Sequence, residues 1–346
     1  MIAALVRLAA LAAPLALVGV PTRPEPPLAS VRILGREYVR ATDIAQRLGL
    51  GMRWNVPDRR LLLASARCRI EIPREEALDS RDISVDGLRV WLGDPTVVRN
   101  GQLYVSRIDF ERRLAPLAQP GWGASPAPPE PRIIVLDAGH GGWDPGTQNL
   151  RLGLKEKTYT IDVALRLRTL LEQQGYRVVM TRTSDQALSP EKQSDLKMRG
   201  EVANLAHADL FISIHFNAST VGDAKTRGSE VWTFCPEQQR SSRSWELHMD
   251  DAEHFASPAN RNDGWNAVFA HAVHRELLRF LHTEDRGEKI NQLGVLRPLN
   301  CPGILVESAF LSNDSEARRV ADPAFRQQMA QSLLAGIKSY AAIIRR

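Results

Sequence analysis

The sequence predicts an α/β fold, a C-terminal domain with a largely parallel central sheet flanked by helices, preceded by a small α+β domain. Three observations carry this. From residue 132 apolar β-rich runs alternate with helical periodicity, the pattern of strands whose crossovers are helices. Before it, short strands at turn-signal spacing fill about 85 residues. Between them PGWGASPAPPEP, residues 120 to 131, is rich in proline and glycine and reads as a boundary.

The chain opens with a single basic residue, Arg7, and a small-residue apolar run to Val20. This resembles a secretory signal peptide over residues 1–22, with a short membrane anchor or an ordinary buried segment as the alternatives. The expected fate is export. PTRPEPP follows as an extended spacer. In residues 28–116, VRIL, MRWNV, RRLLLAS and CRIEIP read as short elements, REYVRATDIAQRLGL as containing a small helix, and ISVDGLRVWLGDPTVVRNGQLYVSRIDFERRLAPL as strands closed by another short helix. Asp86-Gly87 and Asn100-Gly101 mark hairpin turns. This region holds none of the eight histidines and no evident catalytic cluster.

After the linker at 117–131, residues 132–346 read as IIVL (strand), KTYTIDVALRLRTLLEQQG (helix), YRVVM (strand), RGEVANLA (helix), FISI and GSEVWTFC (strands), Trp265 to Thr283 (helix), GILVES (strand) and a closing helix from Asp322 to Ile344. In such a sheet the functional loops gather at the carboxyl ends of the strands. There stand Asp137 and His140, Arg182, His215 and Asn217, and Glu307. A single site is expected where they converge.

His140 lies in DAGHGG, whose glycines leave room for a bound ion. His215 ends an apolar strand, where an imidazole needs a partner. Glu156 opens the following helix. Two imidazoles and a carboxylate form a donor set for catalytic zinc with an open fourth position; core histidines and a helix-terminal carboxylate are the alternative. Glu307 interrupts an apolar run, where a carboxylate is costly unless a cation is near. It suits a proton-transfer base beside a metal, or else a fourth ligand that would close the site.

The 45 basic against 40 acidic residues favour an anionic partner, but the positive charges are scattered and speak against nucleic acid. Cys68, Cys235 and Cys301 match no metal or redox spacing and are expected as buried thiols, with one bridge left open.

DAGHGGWDPG, LKEKTYTIDVALRL, TRTSD, LKMRGEVAN, ADLFISIHFNAS and GILVESAFLSN, in this order, resemble the zinc-dependent N-acetylmuramoyl-L-alanine amidases of the amidase 3 type across residues 132–344. The resemblance implies Zn2+ on His140, Glu156 and His215, with Glu307 as catalytic carboxylate. It also implies bacterial peptidoglycan as substrate, cut between the muramoyl lactyl group and L-alanine. A protein activator is left open. Arg182 and Arg199 are candidates for stem-peptide carboxylates or for bracing, with salt bridges to Asp185 or Glu201 as the alternative. Asn217 either supports His215 or meets substrate, and Asp144 is read as steadying the glycine-rich turn. The chain departs from the family at Ala309, where glycine is usual, and in the polar segment between Cys235 and Trp265 that holds His248 and His254. The YVRATDIAQRLGLGMRWN and NGQLYVSRIDFERRL stretches resemble the small N-terminal domain of copper amine oxidases, which implies a polymer-binding or positioning module; a spacer or dimerisation domain is the alternative.

Overall fold

The computed structural model describes residues 27–345 except 34, 57–58, 74–80, 124–126, 220–224 and 243–255. The leader expectation at residues 1–22, and His248 and His254, lie outside the described residues.

The first part contains a four-stranded antiparallel sheet of β1 (Ser30–Ile33), β2 (Arg36–Arg40), β9 (Gln102–Ser106) and β8 (Val97–Arg99), with α1 (Ala41–Arg47) beside it. A meander of β3 (Gly51–Asn55), β4 (Arg60–Ala64), β5 (Arg69–Pro73), β6 (Asp82–Val85) and β7 (Leu88–Trp91) follows. Asp86 and Gly87, both at positive φ, form the tight turn that fixes the register of β6 and β7. A helical run passes from α2 (Arg107–Asp109) through a π-helical turn at Phe110–Leu114 to α3 (Ala115–Ala118). Ile44, Leu63, Ile70, Val90 and Phe110 are among the apolar side chains that form this region's own core.

In the second part, β10 (Ile133–Ala138) pairs in parallel with β13 (Arg177–Met180) and β14 (Leu210–Asn217), and β14 in parallel with β17 (Gly303–Phe310). β15 (Ser229–Phe234) is antiparallel to β17 and parallel to β16 (Asp285–Asn291). A small hairpin of β11 (Gln148–Asn149) and β12 (Leu154–Lys155) precedes α4 (Glu156–Gln173). One sheet face packs on α4, α6 (Asp263–Leu281) and α8 (Pro323–Ile344) through Ile212, Ile214, Val306, Phe269 and Leu333. Each such side chain contributes about 1.5–3 kcal/mol on burial. The opposite face carries Phe211, Leu305 and Trp232, packed with Ala203 of α5 (Lys192–Leu205). Alternation along the strands thus leaves Asp137, His215 and Glu307 on this second face, near its carboxyl end.

Helix starts follow ordinary chemistry. Glu191 caps α5, Asn313 caps α7 (Asp314–Ala321), and Asp322 caps α8 with Pro323 at its first turn. Some boundaries depart from the sequence expectations. α5 begins seven residues earlier than RGEVANLA indicates, at Lys192, and β16 occupies the charged stretch DRGEKIN. The stretch at 117–131 is tied down in part, because α3 reaches Ala118 and Trp122 meets Phe110 edge to face at 5.7 Å. All three cysteines are buried and none forms a disulfide.

The two parts share one eleven-stranded sheet, because β7 adds in parallel to β16 in the register Val90–Glu288. Arg89 N donates to Asp285 Oδ2 at 2.9 Å, and Trp91 Nε1 to the Arg286 carbonyl at 2.9 Å. Arg113, 2% exposed, reaches the Glu288 carbonyl and Thr233 Oγ1, both at 3.4 Å. A strand addition protects what would otherwise be an open sheet edge.

Asp263, at the start of α6 near this junction, is a buried carboxyl. Burial pushes its carboxyl from 3.8 up to about 7, against the Asn260 hydrogen bond and the positive potential of Arg112 and Arg113. The unfolded chain ionises first, so this group weakens the fold increasingly as pH rises from 3.8 to about 7 and by a constant amount above. Asp263→Asn is expected to raise stability by roughly 1–4 kcal/mol at pH 8 and to change it little near pH 4, measured by urea unfolding at both pH values.

Candidate metal centre and active site

His140, Glu156 and His215 come from three different elements, yet a ligand atom of each lies within 4.8 Å of the others. Glu156 is the first residue of α4, which has no side-chain N-cap; its carboxylate turns inward rather than staying at the helix terminus. One oxygen, Oε2, accepts from Thr147 N at 2.7 Å and lies 3.1 Å from His140 Nε2. The other, Oε1, accepts from Phe216 N and meets His215 Nδ1, both at 2.9 Å. The rings of His140 and His215 stand edge to face at 4.8 Å.

Two glycines make this convergence sterically feasible. A Cβ at Gly139 would fall 2.3 Å from the His215 ring, and one at Gly146 would fall 2.6 Å from both Glu156 Oε2 and the His140 ring. His140 itself adopts φ +62, a sparsely populated conformation for a residue with a side chain and one that marks functional loops. Asp144, read from the sequence as a turn residue, meets His140 Nδ1 at 2.9 Å and leaves Nε2 for the cluster. It also accepts from Gly146 N at 3.0 Å, so it steadies the turn as well. A carboxylate behind a ligand histidine fixes both tautomer and ring orientation.

The groups of this cluster are electrostatically linked. Burial alone would lower the His140 pKa, but its hydrogen bonds to Asp144 and Glu156 outweigh it and push the ring up to about 9. Asp144, bonded to His140, is drawn down to about 2. Burial would raise Glu156, which is 2% exposed, yet its bonds to both histidines hold it far below the usual carboxylate range. Two partly exposed imidazoles and one buried carboxylate, each with a ligand atom near the others, are a donor set that could hold a divalent ion and leave a position open.

Glu307 is half-buried and registers with His215 across β14 and β17, so both side chains leave the same face. It lies within β17, three residues before its end, rather than at the junction with the loop. Glu230 registers with Glu307 on the other side, across β15 and β17. Nothing in the sequence pattern distinguishes Glu230, because GSEVWTF reads as an ordinary strand. Asn217 directs its Nδ2 to Glu230 Oε1 at 2.5 Å rather than to His215.

Arg182 and Arg199 are buried and directed at the protein's own backbone. Arg182 donates to the carbonyls of Ala138, Gly139, Lys157 and Ser184. Arg199 donates to the carbonyls of Ala138 and His140, and pairs with Asp195 Oδ2 at 2.6 Å and Asp137 Oδ1 at 2.9 Å. Their partners are not the Asp185 and Glu201 weighed from the sequence; Asp185 pairs with Lys157 at 2.8 Å and Glu201 with Lys197 at 3.3 Å. Asp137 receives Thr181 and Ser213 hydroxyls as well as Arg199, and these hold its carboxyl low against the effect of burial. These groups brace the loop that bears His140, where a carbonyl without a ladder partner needs a donor.

A family model described as N-acetylmuramoyl-L-alanine amidase matches residues 134–339. The germination-specific N-acetylmuramoyl-L-alanine amidase of Bacillus subtilis (strain 168) is 33% identical over 228 residues, 63% of this chain and 84% of that protein. N-acetylmuramoyl-L-alanine amidase AmiC of Escherichia coli O6:H1 is 31% identical over 256 residues, 68% of this chain but only 58% of AmiC. Among solved structures, the CwlD amidase of Clostridioides difficile, in complex with the GerS lipoprotein, aligns with a TM-score of 0.50 and 27% identity. That alignment covers 61% of this chain and 99% of CwlD. The family model spans well over half of the chain, which therefore belongs to the N-acetylmuramoyl-L-alanine amidase family.

Proposed function

We propose that this chain hydrolyses the amide bond between N-acetylmuramoyl residues and L-alanine in bacterial peptidoglycan. In this reading His140, Glu156 and His215 hold Zn2+, and Glu307 is the general base and acid. The observation that carries it is the convergence of the two imidazoles and one buried carboxylate on the same sheet face as Glu307.

Zinc held by these residues would supply Lewis acidity for activating water and polarising a carbonyl. Glu307 would accept a proton from the attacking water as its oxygen bonds to the carbonyl carbon, and return that proton to the alanine nitrogen as the C–N bond breaks, leaving a lactyl carboxyl group and a free amine. Asp144 keeps His140 Nε2 turned toward the metal. Arg182, Arg199 and Asp137 hold the 137–140 backbone in place, and Asn217 has a supporting role rather than a substrate-binding one.

Residues 132–346 form the catalytic domain in this reading, 28–116 the accessory domain and 117–131 the connection. Residues 1–22 direct export toward the periplasm or wall, where the substrate is found. No helix among the described residues is long and apolar enough to cross a membrane. A protein activator is consistent with the CwlD structure, which contains the GerS lipoprotein.

Mass spectrometry of purified peptidoglycan treated with the zinc-loaded protein tests the reaction. Stem peptides beginning with alanine are expected; new termini within the stem would make the protein a peptidase instead. Glu307→Gln is expected to retain zinc and to lose roughly 10²–10⁴-fold in kcat. Loss of zinc in that variant would make Glu307 a ligand. Asp144→Asn is expected to weaken zinc binding about 10–100-fold in a chelator competition, with unchanged affinity arguing against its orienting role.

A further inference from the structure

Strand β17, which carries Glu307, runs between β14 and β15. Its pairing with β14 is irregular just past the site. His215 registers with Glu307 and Asn217 with Phe310, so β17 spends one more residue than its partner. A bulge of this kind interrupts the ladder and bends the strand, which leaves the direction of Glu307 under weaker backbone control.

A side-chain contact spans this irregularity. Asn217 projects from β14 and Glu230 from β15, and their 2.5 Å hydrogen bond bridges the two strands that flank β17. Glu230 is 2% exposed, and a carboxylate so deeply buried needs compensation. Trp232 Nε1 donates to the same oxygen at 3.0 Å, while the other oxygen meets Lys289 Nζ at 2.7 Å and Arg286 Nε at 3.4 Å. Both cations come from β16, where the N-terminal region joins the sheet. Lys289 Nζ lies 5.2 Å from the Trp232 ring and 5.8 Å from the ring of Trp91, and the Trp91 indole N–H is bonded to the Arg286 carbonyl. A continuous path of contacts therefore leads from β7 of the small domain to the strand bearing Glu307.

We propose that Glu230 is a positioning residue for the amide hydrolysis assigned above, an inference that rests on that assignment. With Asn217 it clamps β17 and aims Glu307 at the His140, Glu156 and His215 cluster, and Trp91 of the small domain completes the clamp by holding Lys289 and Arg286 against Glu230. The small domain is then part of the catalytic architecture, not only a wall-binding appendage. A buried ion pair adds little net stability compared with apolar packing, so its value here lies in geometry.

The test uses the full-length, zinc-loaded protein and a defined muropeptide, with Asn217→Ala, Glu230→Gln, Trp91→Ala and Trp91→Phe. Asn217→Ala and Glu230→Gln are expected to lose on the order of 10²-fold in kcat, with KM within about twofold and zinc content unchanged. Trp91→Ala is expected to lose about tenfold in kcat, and Trp91→Phe to restore most of it by keeping an aromatic face for Lys289. Amide exchange at Glu307 to Phe310 is expected to accelerate in Asn217→Ala, a readout that needs no turnover. Wild-type kcat and wild-type exchange in folded Asn217→Ala and Glu230→Gln would overturn the inference alone, as would a loss in Trp91→Ala that Trp91→Phe does not relieve. A native protein inactive on the muropeptide would remove the amidase reading and this inference with it.

Discussion

Everything at the site depends on one buried carboxylate. Glu156 sits at the first position of α4, where the helix dipole already favours negative charge, and it is surrounded by two backbone N–H groups and two imidazoles. Without a compensating positive charge this carboxylate would be expelled or protonated. The fold keeps it ionised by bringing His140 from a glycine-rich loop and His215 from the adjoining strand. Gly139 and Gly146 are the cost of that approach, since a side chain there would occupy the space of His215, Glu156 and His140. Arg199 and Arg182 then tie the loop carbonyls to the scaffold, so the histidine position follows from the sheet rather than from the loop alone.

Much of this was legible in the sequence because the relevant residues break a pattern. His215 and Glu307 interrupt apolar strands, and His140 stands among glycines, so each demands an explanation beyond packing. The α/β alternation was equally plain, since its strands are buried on both faces and read as continuous apolar runs. Glu156 was less conspicuous, because an acidic residue in the first turn of a helix is ordinary and only its inward orientation makes it a candidate ligand.

Other features depend on contacts that no local pattern records. Strand β16 is written DRGEKIN, charged on both faces, because its carboxylates meet His271, His274 and Arg89 N, and its lysine meets Glu230. Such a strand has no apolar alternation by which to recognise it. The merging of the two regions into one sheet is likewise invisible, since Val90 and Glu288 lie nearly two hundred positions apart across a proline-rich stretch that reads as a separator. The arginines illustrate the same limit. A guanidinium near a site suits either a substrate carboxylate or the protein's own carbonyls, and only burial together with the partner list distinguishes the two uses.

The zinc site proposed at His140, Glu156 and His215 has a direct spectroscopic signature. X-ray absorption at the zinc edge, recorded on the purified full-length protein after zinc loading, addresses the donor set directly. The account predicts a first shell of nitrogen and oxygen at about 2.0–2.2 Å with imidazole outer-shell scattering from two histidines, reduced to one in His215→Ala. Sulfur scattering at about 2.3 Å, or an imidazole signal unchanged by His215→Ala, would place the metal elsewhere and contradict the account.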